Sequence, residues 1–304
     1  MGSVIEVSGL NKRFGRVEAL REASFEVREG SVTGLLGPNG AGKTTTLKIL
    51  VGLLRPDSGE VRVLRMDPWE EGHRVRQRVG ILHERPIYPG DVDVWRLLRY
   101  AARVRGLHPA DARRAARLAG LGEHLDRRVS ALSRGYLQRL GLALAVMGEP
   151  DLLLLDEPTA NLDPAARMEI LDLIATLRRE LGVTMLVSSH IIPELELVCD
   201  SAAFISEGRI LDYGPLEELA GRYGTEARVI LRSPRPREVA SRLISLEFVE
   251  AVEVRDRTVT VRVAPGSLSL VQAEISALAG VEVVSSGRAG LMDLYRRVVL
   301  GEAA

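Results

Sequence analysis

The segment Gly37-Pro38-Asn39-Gly40-Ala41-Gly42-Lys43-Thr44 restricts the fold of this chain more than any other. It has the spacing G-x-x-x-x-G-K-[ST], with a mostly apolar run at 32–36 before it and a helical stretch at 42–51 after it. Strand, glycine loop and helix in that order make a cradle for an anion. Glycines let the backbone curl, and successive amides at the helix start point at phosphate oxygens, where the helix dipole adds favourable potential. Lys43 is then placed to reach the β and γ phosphates as a point charge. Thr44, with Thr45 beside it, offers a hydroxyl oxygen to Mg2+, a hard cation. Such a loop requires an α/β core with the phosphate site at the carboxyl end of a buried strand.

A second apolar run, 152–155, ends in Asp156 and Glu157. A buried strand thereby delivers two carboxylates to the edge where open α/β sheets bind ligands. Asp156 is expected to hold Mg2+ and Glu157 to polarise the water that attacks the γ phosphate. The basic residues support the assignment of Lys43. Lysine occurs only at Lys12, Lys43 and Lys48, and arginine fills the other basic positions, so lysine persists where a compact ammonium is needed.

Charge and composition exclude other classes. With 41 basic and 41 acidic residues the net charge is zero, so no global attraction to nucleic acid is expected. The single cysteine, Cys199, forms no internal disulfide, and residues 1–14 lack the apolar core of a secretory signal, which together point to the cytosol. The longest apolar stretches fall well short of the ~20 residues that span a bilayer. Any membrane role must come through a partner.

Alternation at 4–8 and 24–28 predicts an antiparallel β layer, and 92–118 reads as a helical insertion carrying an exposed arginine face. Further buried strands are expected at 152–155 and 184–188. After about Leu219 the chain changes character. Strand 228–232, helix 237–245, strands 249–255 and 258–263, helix 268–278, strand 281–285 and a last helix near 291–300 match the βαββαβ plan of a small ferredoxin-like domain. The expected division is residues 1–222, with a helical subdomain at about 87–147, and an accessory or regulatory unit at 223–304.

Residues 132–163 read LSRGYLQRLGLALAVMGEPDLLLLDEPTANLD, and this block resembles an ABC ATPase; kinases and GTPases share the phosphate loop but lack it. Leu132-Ser133-Arg134-Gly135-Tyr136 resembles the family's LSGGQ signature. The resemblance implies that Ser133 and Gly135 act in trans on the γ phosphate held by a twin subunit. It also implies that Phe14 stacks on adenine, that Asp163 lies in the loop along the dimer seam, and that His190 senses the γ phosphate. The expected ligands are ATP and Mg2+. The expected partners are a second copy, closed around two ATP, and a separate transmembrane permease at whose inner membrane face the dimer sits. The expected activity is ATP hydrolysis.

This chain departs from the family at three positions. Glu84 stands where the family usually has a glutamine that couples the nucleotide to the membrane partner; the added carboxylate makes Glu84 a candidate Mg2+ ligand or else alters that coupling. Arg134 and Tyr136 replace a signature glycine and glutamine. Together with the ending Gly290-Leu291-Met292-Asp293-Leu294-Tyr295-Arg296-Arg297, these resemble the exporter ATPases of drug, antibiotic, polysaccharide and copper-enzyme maturation systems. A soluble ATPase acting on ribosomes or DNA would need two ATPase units or a long coiled-coil insertion, and the sequence has neither. A ligand-sensing role for the C-terminal unit finds no polar or metal-binding cluster to support it.

Overall fold

The computed structural model describes residues 2–223, 227–264, 267–278, 280–287 and 291–301. The chain divides into two units, Met1–Gly214 and Pro215–Ala304.

The first unit is built on two sheets. An antiparallel sheet has the order β2-β1-β4, from β1 (Ser3–Phe14), β2 (Val17–Arg28) and β4 (Ser58–Val63). The alternating patches expected at 4–8 and 24–28 are the first half of one longer strand and the last part of the other, paired Val7 to Phe25 and Ile5 to Val27. Their apolar positions Ile5, Leu10, Phe25 and Val27 are fully buried, and the polar positions between them face outward.

The second sheet runs β5-β6-β7-β3-β8-β9. Its members are β3 (Val32–Leu36), β5 (Val79–Leu82), β6 (Leu152–Asp156), β7 (Thr184–Ser189), β8 (Ser201–Ser206) and β9 (Arg209–Pro215). The pairings β5–β6, β6–β7, β7–β3 and β3–β8 are parallel. Every residue of β3, β6 and β7 is buried, as expected of strands covered on both faces. Parallel pairing brings the carboxyl ends of these strands to one edge, so the segments after Leu36, Leu82, Asp156 and Ser189 emerge side by side.

Helices α1 (Lys43–Leu50), α2 (Gly72–Arg78), α6 (Pro164–Leu181) and α7 (Ile192–Leu195) connect these strands. The helical insertion is made of α3 (Val94–Val104), α4 (Pro109–Leu118) and α5 (Arg134–Val146). The expected stretch 92–118 is two helices. The first ends before Gly106 in the left-handed region, and the second starts at a reciprocal cap in which Ala110 N donates to His108 Nδ1 and His108 N donates to Asp111 Oδ2, with Pro109 at the first helical position.

The second unit begins with α8 (Leu216–Arg222) and carries an antiparallel sheet of order β11-β12-β10-β13. The strands are β10 (Ala227–Arg232), β11 (Val249–Arg255), β12 (Thr258–Val263) and β13 (Glu282–Gly287). Helices α9 (Pro236–Leu243) and α10 (Leu268–Ser276) contribute Val239, Leu243, Val271 and Ile275 to a core shared with Val229, Leu231, Val259 and Val261; α11 (Leu291–Val299) follows.

Candidate functional site

The glycine loop leaves β3 and enters α1 at the sheet edge described above. Its backbone has no room for side chains where it turns. A Cβ on Gly37 would lie 2.0 Å from the Ile205 carbonyl oxygen, and Gly42 caps α1 at φ 111° with the Ala19 carbonyl 2.6 Å from where a Cβ would be. These glycines are therefore required by the shape of the cradle. Ala41 N donates to Pro38 O and Gly208 N to Ala41 O, which fix the loop from both sides.

Lys43 is buried, and its ammonium donates to the carbonyls of Gly37 at 2.8 Å and Pro38 at 3.2 Å. It also pairs with Glu157 Oε1 at 3.2 Å. The other carboxylate oxygen, Glu157 Oε2, is 2.7 Å from His190 Nδ1. A linear relay Lys43–Glu157–His190 thus joins the ends of β3, β6 and β7. Thr44 Oγ1 donates to Asp156 Oδ1 at 3.3 Å, so a hydroxyl and a carboxylate converge next to that relay.

Glu157 is held in an unfavourable backbone conformation, φ 48°, which costs on the order of 1–3 kcal/mol for a non-glycine residue. The compensation is local. Glu157 N donates to both Ser188 Oγ (3.0 Å) and Ser188 O (3.2 Å), while Ser188 Oγ donates to Asp156 Oδ1 at 2.7 Å. Sequence reading missed Ser188; the pair of serines, Ser188 and Ser189, that ends the strand after Met185-Leu186-Val187 is the signal that could have found it.

Lys43, Thr44, Thr45, Asn39, Gly40 and Gly42 line a cavity of about 650 Å³, together with Glu84, Glu157 and His190. Glu84 is beside Arg85, with Arg85 Nε 3.3 Å from its Oε1. Phe14 is half exposed at the end of β1, opposite Val17; Val17, Glu18 and Ala19 form that part of the cavity wall and Phe14 does not. Lys12 Nζ lies 5.6 Å from the Phe14 ring centre and bonds Asp57 Oδ1 at 2.7 Å. That hydrogen bond, with the one from Arg13 N, holds the Asp57 carboxyl below its ordinary range.

The signature residues are apart from this cavity within one chain. Ser133 caps α5, accepting from Tyr136 N at 3.4 Å, and Gly135 approaches Ala166. Arg134 Nη1 reaches Asn161 O at 3.4 Å, and a second cavity of about 460 Å³ lies between Glu84, Arg134, Gln138 and Asn161. Asp163 caps α6 by accepting from Ala166 N at 2.9 Å. Sequence reading also missed a partly buried cluster behind this loop. Glu194 accepts from Thr159 Oγ1 at 2.7 Å and from Arg167 Nη1 at 3.0 Å, and Arg167 Nε donates to Leu162 O at 2.9 Å.

The donor set suits a magnesium nucleotide. Among the described residues no three His, Cys, Asp or Glu side chains converge to hold a metal alone. A hydroxyl and one carboxylate beside an amide cradle instead match Mg2+, which fills its shell with phosphate oxygens and water.

Residues 20–160 match the family model for the ABC transporter. The chain is 37% identical over 249 residues to the daunorubicin/doxorubicin resistance ATP-binding protein DrrA of Streptomyces peucetius, covering 80% of this chain and 75% of the relative. It is 38% identical over 220 residues to the Nod factor export ATP-binding protein I of Ralstonia nicotianae, covering 71% and 68%. Among solved structures it is similar to cbiO1 from Clostridium perfringens, part of the ABC transporter complex cbiONQ. That likeness has a TM-score of 0.65 and 29% identity, and it covers 72% of this chain and 91% of the other.

Proposed function

The chain belongs to the ABC transporter ATP-binding proteins, and from that premise we propose that it hydrolyses ATP to drive export through a separate transmembrane permease. The observation that carries this reading is the relay Lys43–Glu157–His190 at the mouth of the glycine cradle. A cation for phosphate oxygens, a carboxylate base and an orienting histidine meet there within hydrogen-bond reach.

ATP binds with its phosphates under the amides of residues 37–45, and the Lys43 ammonium exchanges its pairing with Glu157 for the β and γ phosphates. Thr44 and Asp156, with Glu84 at the rim, hold Mg2+, which supplies charge neutralisation on the phosphate oxygens. The freed Glu157 carboxylate takes a proton from water as that water attacks the γ phosphorus. The bond to the ADP oxygen breaks, giving ADP and phosphate. His190 fixes the carboxylate rotamer and contacts the γ phosphate. Phe14 stacks on the adenine.

Ser133, Gly135 and Asp163 stand away from the cradle of their own chain, which supports action in trans within a homodimer closed on two ATP. No described helix is long and apolar enough to cross a membrane, so the spanning path is assigned to the permease. One relative is an export protein and another a drug-resistance protein, which favours an exporter working at the inner face of the cell membrane. We assign residues 1–222 to the ATPase part and 223–304 to the accessory part, a division that leaves α8, the first helix of the second compact unit, with the ATPase. For the accessory part a ferredoxin-like fold is supported by its β-α-β-β-α-β order and the sheet order β11-β12-β10-β13.

The test is the pair Glu157→Gln and Lys43→Ala. Glu157→Gln is expected to bind ATP and dimerise with it while turnover falls by about 10²–10⁴-fold, the usual share of a positioned base. Lys43→Ala is expected to lose nucleotide affinity in calorimetry. Unchanged steady-state hydrolysis by Glu157→Gln removes Glu157 from the reaction.

A further inference from the structure

The arginine face of the helical insertion has no part in the ATPase chemistry. Between residues 94 and 118 the chain carries seven arginines and one aspartate, in a protein whose net charge is zero. The preference for arginine over lysine does not explain this, because that choice leaves charge unchanged.

The helices sort these residues. On α3 the buried stripe is Val94, Leu98 and Ala102, while Arg96, Arg99, Tyr100, Arg103 and Val104 form a continuous exposed stripe. Tyr100 and Val104 are 66% and 67% exposed in the middle of the charges. The stripe on α4 joins it at Trp95, whose ring lies 5.9 Å from the Arg99 guanidinium and 5.0 Å from that of Arg113. Arg114 pairs with Glu149, and Arg105 turns inward to the carbonyls of Leu144 and Met147. Arg96, Arg103 and Arg117 carry no ion pair among the described residues and are exposed.

We propose that the exposed stripe of α3, joined by Arg113 and Arg117 of α4, binds the phosphate headgroups of anionic phospholipid, docking the subunit directly on the bilayer surface. Guanidinium groups match phosphate oxygens in bidentate geometry. Tyrosine and valine between them offer an interfacial aromatic and an apolar contact that a purely aqueous polyanion does not require. The proposed function sets a transmembrane permease against this subunit, so a bilayer surface lies within its reach. To that extent the inference rests on the transporter reading.

The experiment is cosedimentation of the full chain with phosphatidylcholine vesicles, with and without phosphatidylglycerol, at low and at physiological salt. ATP affinity is measured on the same samples by calorimetry. Binding is expected only with phosphatidylglycerol present and is expected to weaken with salt. The combined variant Arg96→Gln, Arg103→Gln, Arg117→Gln is expected to lose about two orders of magnitude in vesicle affinity, with ATP affinity unchanged. The corresponding lysine variant is expected to retain most of the binding. Tyr100→Ser with Val104→Ser is expected to lose several-fold. The proposal is overturned if the parent chain ignores anionic vesicles, if the glutamine variant binds as well as the parent, or if a random-sequence oligonucleotide displaces the vesicles. Loss of ATP affinity in the parent chain would count against the ATPase reading alone, since vesicle binding needs no nucleotide.

Discussion

Ser188 shows how a residue with no chemistry of its own can set the geometry of two that have it. Its hydroxyl is buried between Asp156 and the Glu157 amide, donating to one and accepting from the other. Ser188→Ala removes one of two partners from each, since Glu157 N keeps the Ser188 carbonyl and Asp156 keeps Thr44, so unfolding in urea should show a loss of about 0.5–1.5 kcal/mol. Turnover should fall more than ATP affinity, because the Glu157 backbone, already at φ 48°, loses an anchor while the cradle is untouched. Equal effects on both would mean that Ser188 is only packing. Cys199 makes a complementary prediction. Burial, together with the neighbouring Asp200 charge, pushes its thiol well above the ordinary range, with Arg178 opposing weakly. The thiolate is the reactive form, so alkylation of the native chain at neutral pH should proceed only through opening, and its rate should follow denaturant. Rapid labelling without denaturant would contradict that burial.

At the scale of elements, strands and loops that carry chemistry were legible because each obeys a short-range rule. Residues 32–36 and 152–155 are apolar runs that end in residues no buried strand tolerates except at its edge. The phosphate loop is written in the closely spaced Gly37, Gly40 and Gly42, and Lys43, Asp156 and Glu157 are legible because each sits within a local pattern, whereas the roles of Phe14 and His190 are implied only by the family resemblance. The cluster around Glu194 was not found, because its members come from three segments and meet only after folding. It ties the short helix after His190, through Thr159 and Arg167, to the loop that ends at Asp163. If His190 senses the γ phosphate as proposed, the chain leading from it to Glu194 and the hydrogen bonds of this cluster connect it to the proposed dimer seam. In the Glu157→Gln background, Arg167→Met and Glu194→Gln should each weaken ATP-driven dimerisation. Together they should lose less than the sum, with a coupling of about 0.5–3 kcal/mol, as expected for partners in direct contact. Strict additivity would mean the pair transmits nothing. The break in the helical insertion is different, because its signals, Gly106 and Pro109 after the His108 cap, are local and were outweighed by the helix-forming composition on both sides.

For the whole molecule, the two units have separate cores, one built around Ile5, Phe25, Leu35 and Leu154 and the other around Val229, Leu231, Val259 and Val261. The phosphate cradle is made only of residues of the first unit. Residues 1–222 alone should therefore bind ATP with the affinity of the full chain. Hydrolysis is different, because the proposed site is completed in trans and depends on how readily two chains meet. If the C-terminal unit promotes that meeting, the truncated chain should need higher protein concentration to reach the same specific activity, while the two curves converge at saturation. A regulatory contact would instead lower or raise the plateau itself. Sedimentation of the Glu157→Gln forms with ATP, with and without residues 223–304, separates the two, because only the first predicts a shift in dimer dissociation. Identical curves for both lengths in both measurements would leave the C-terminal sheet with no part in the ATPase cycle.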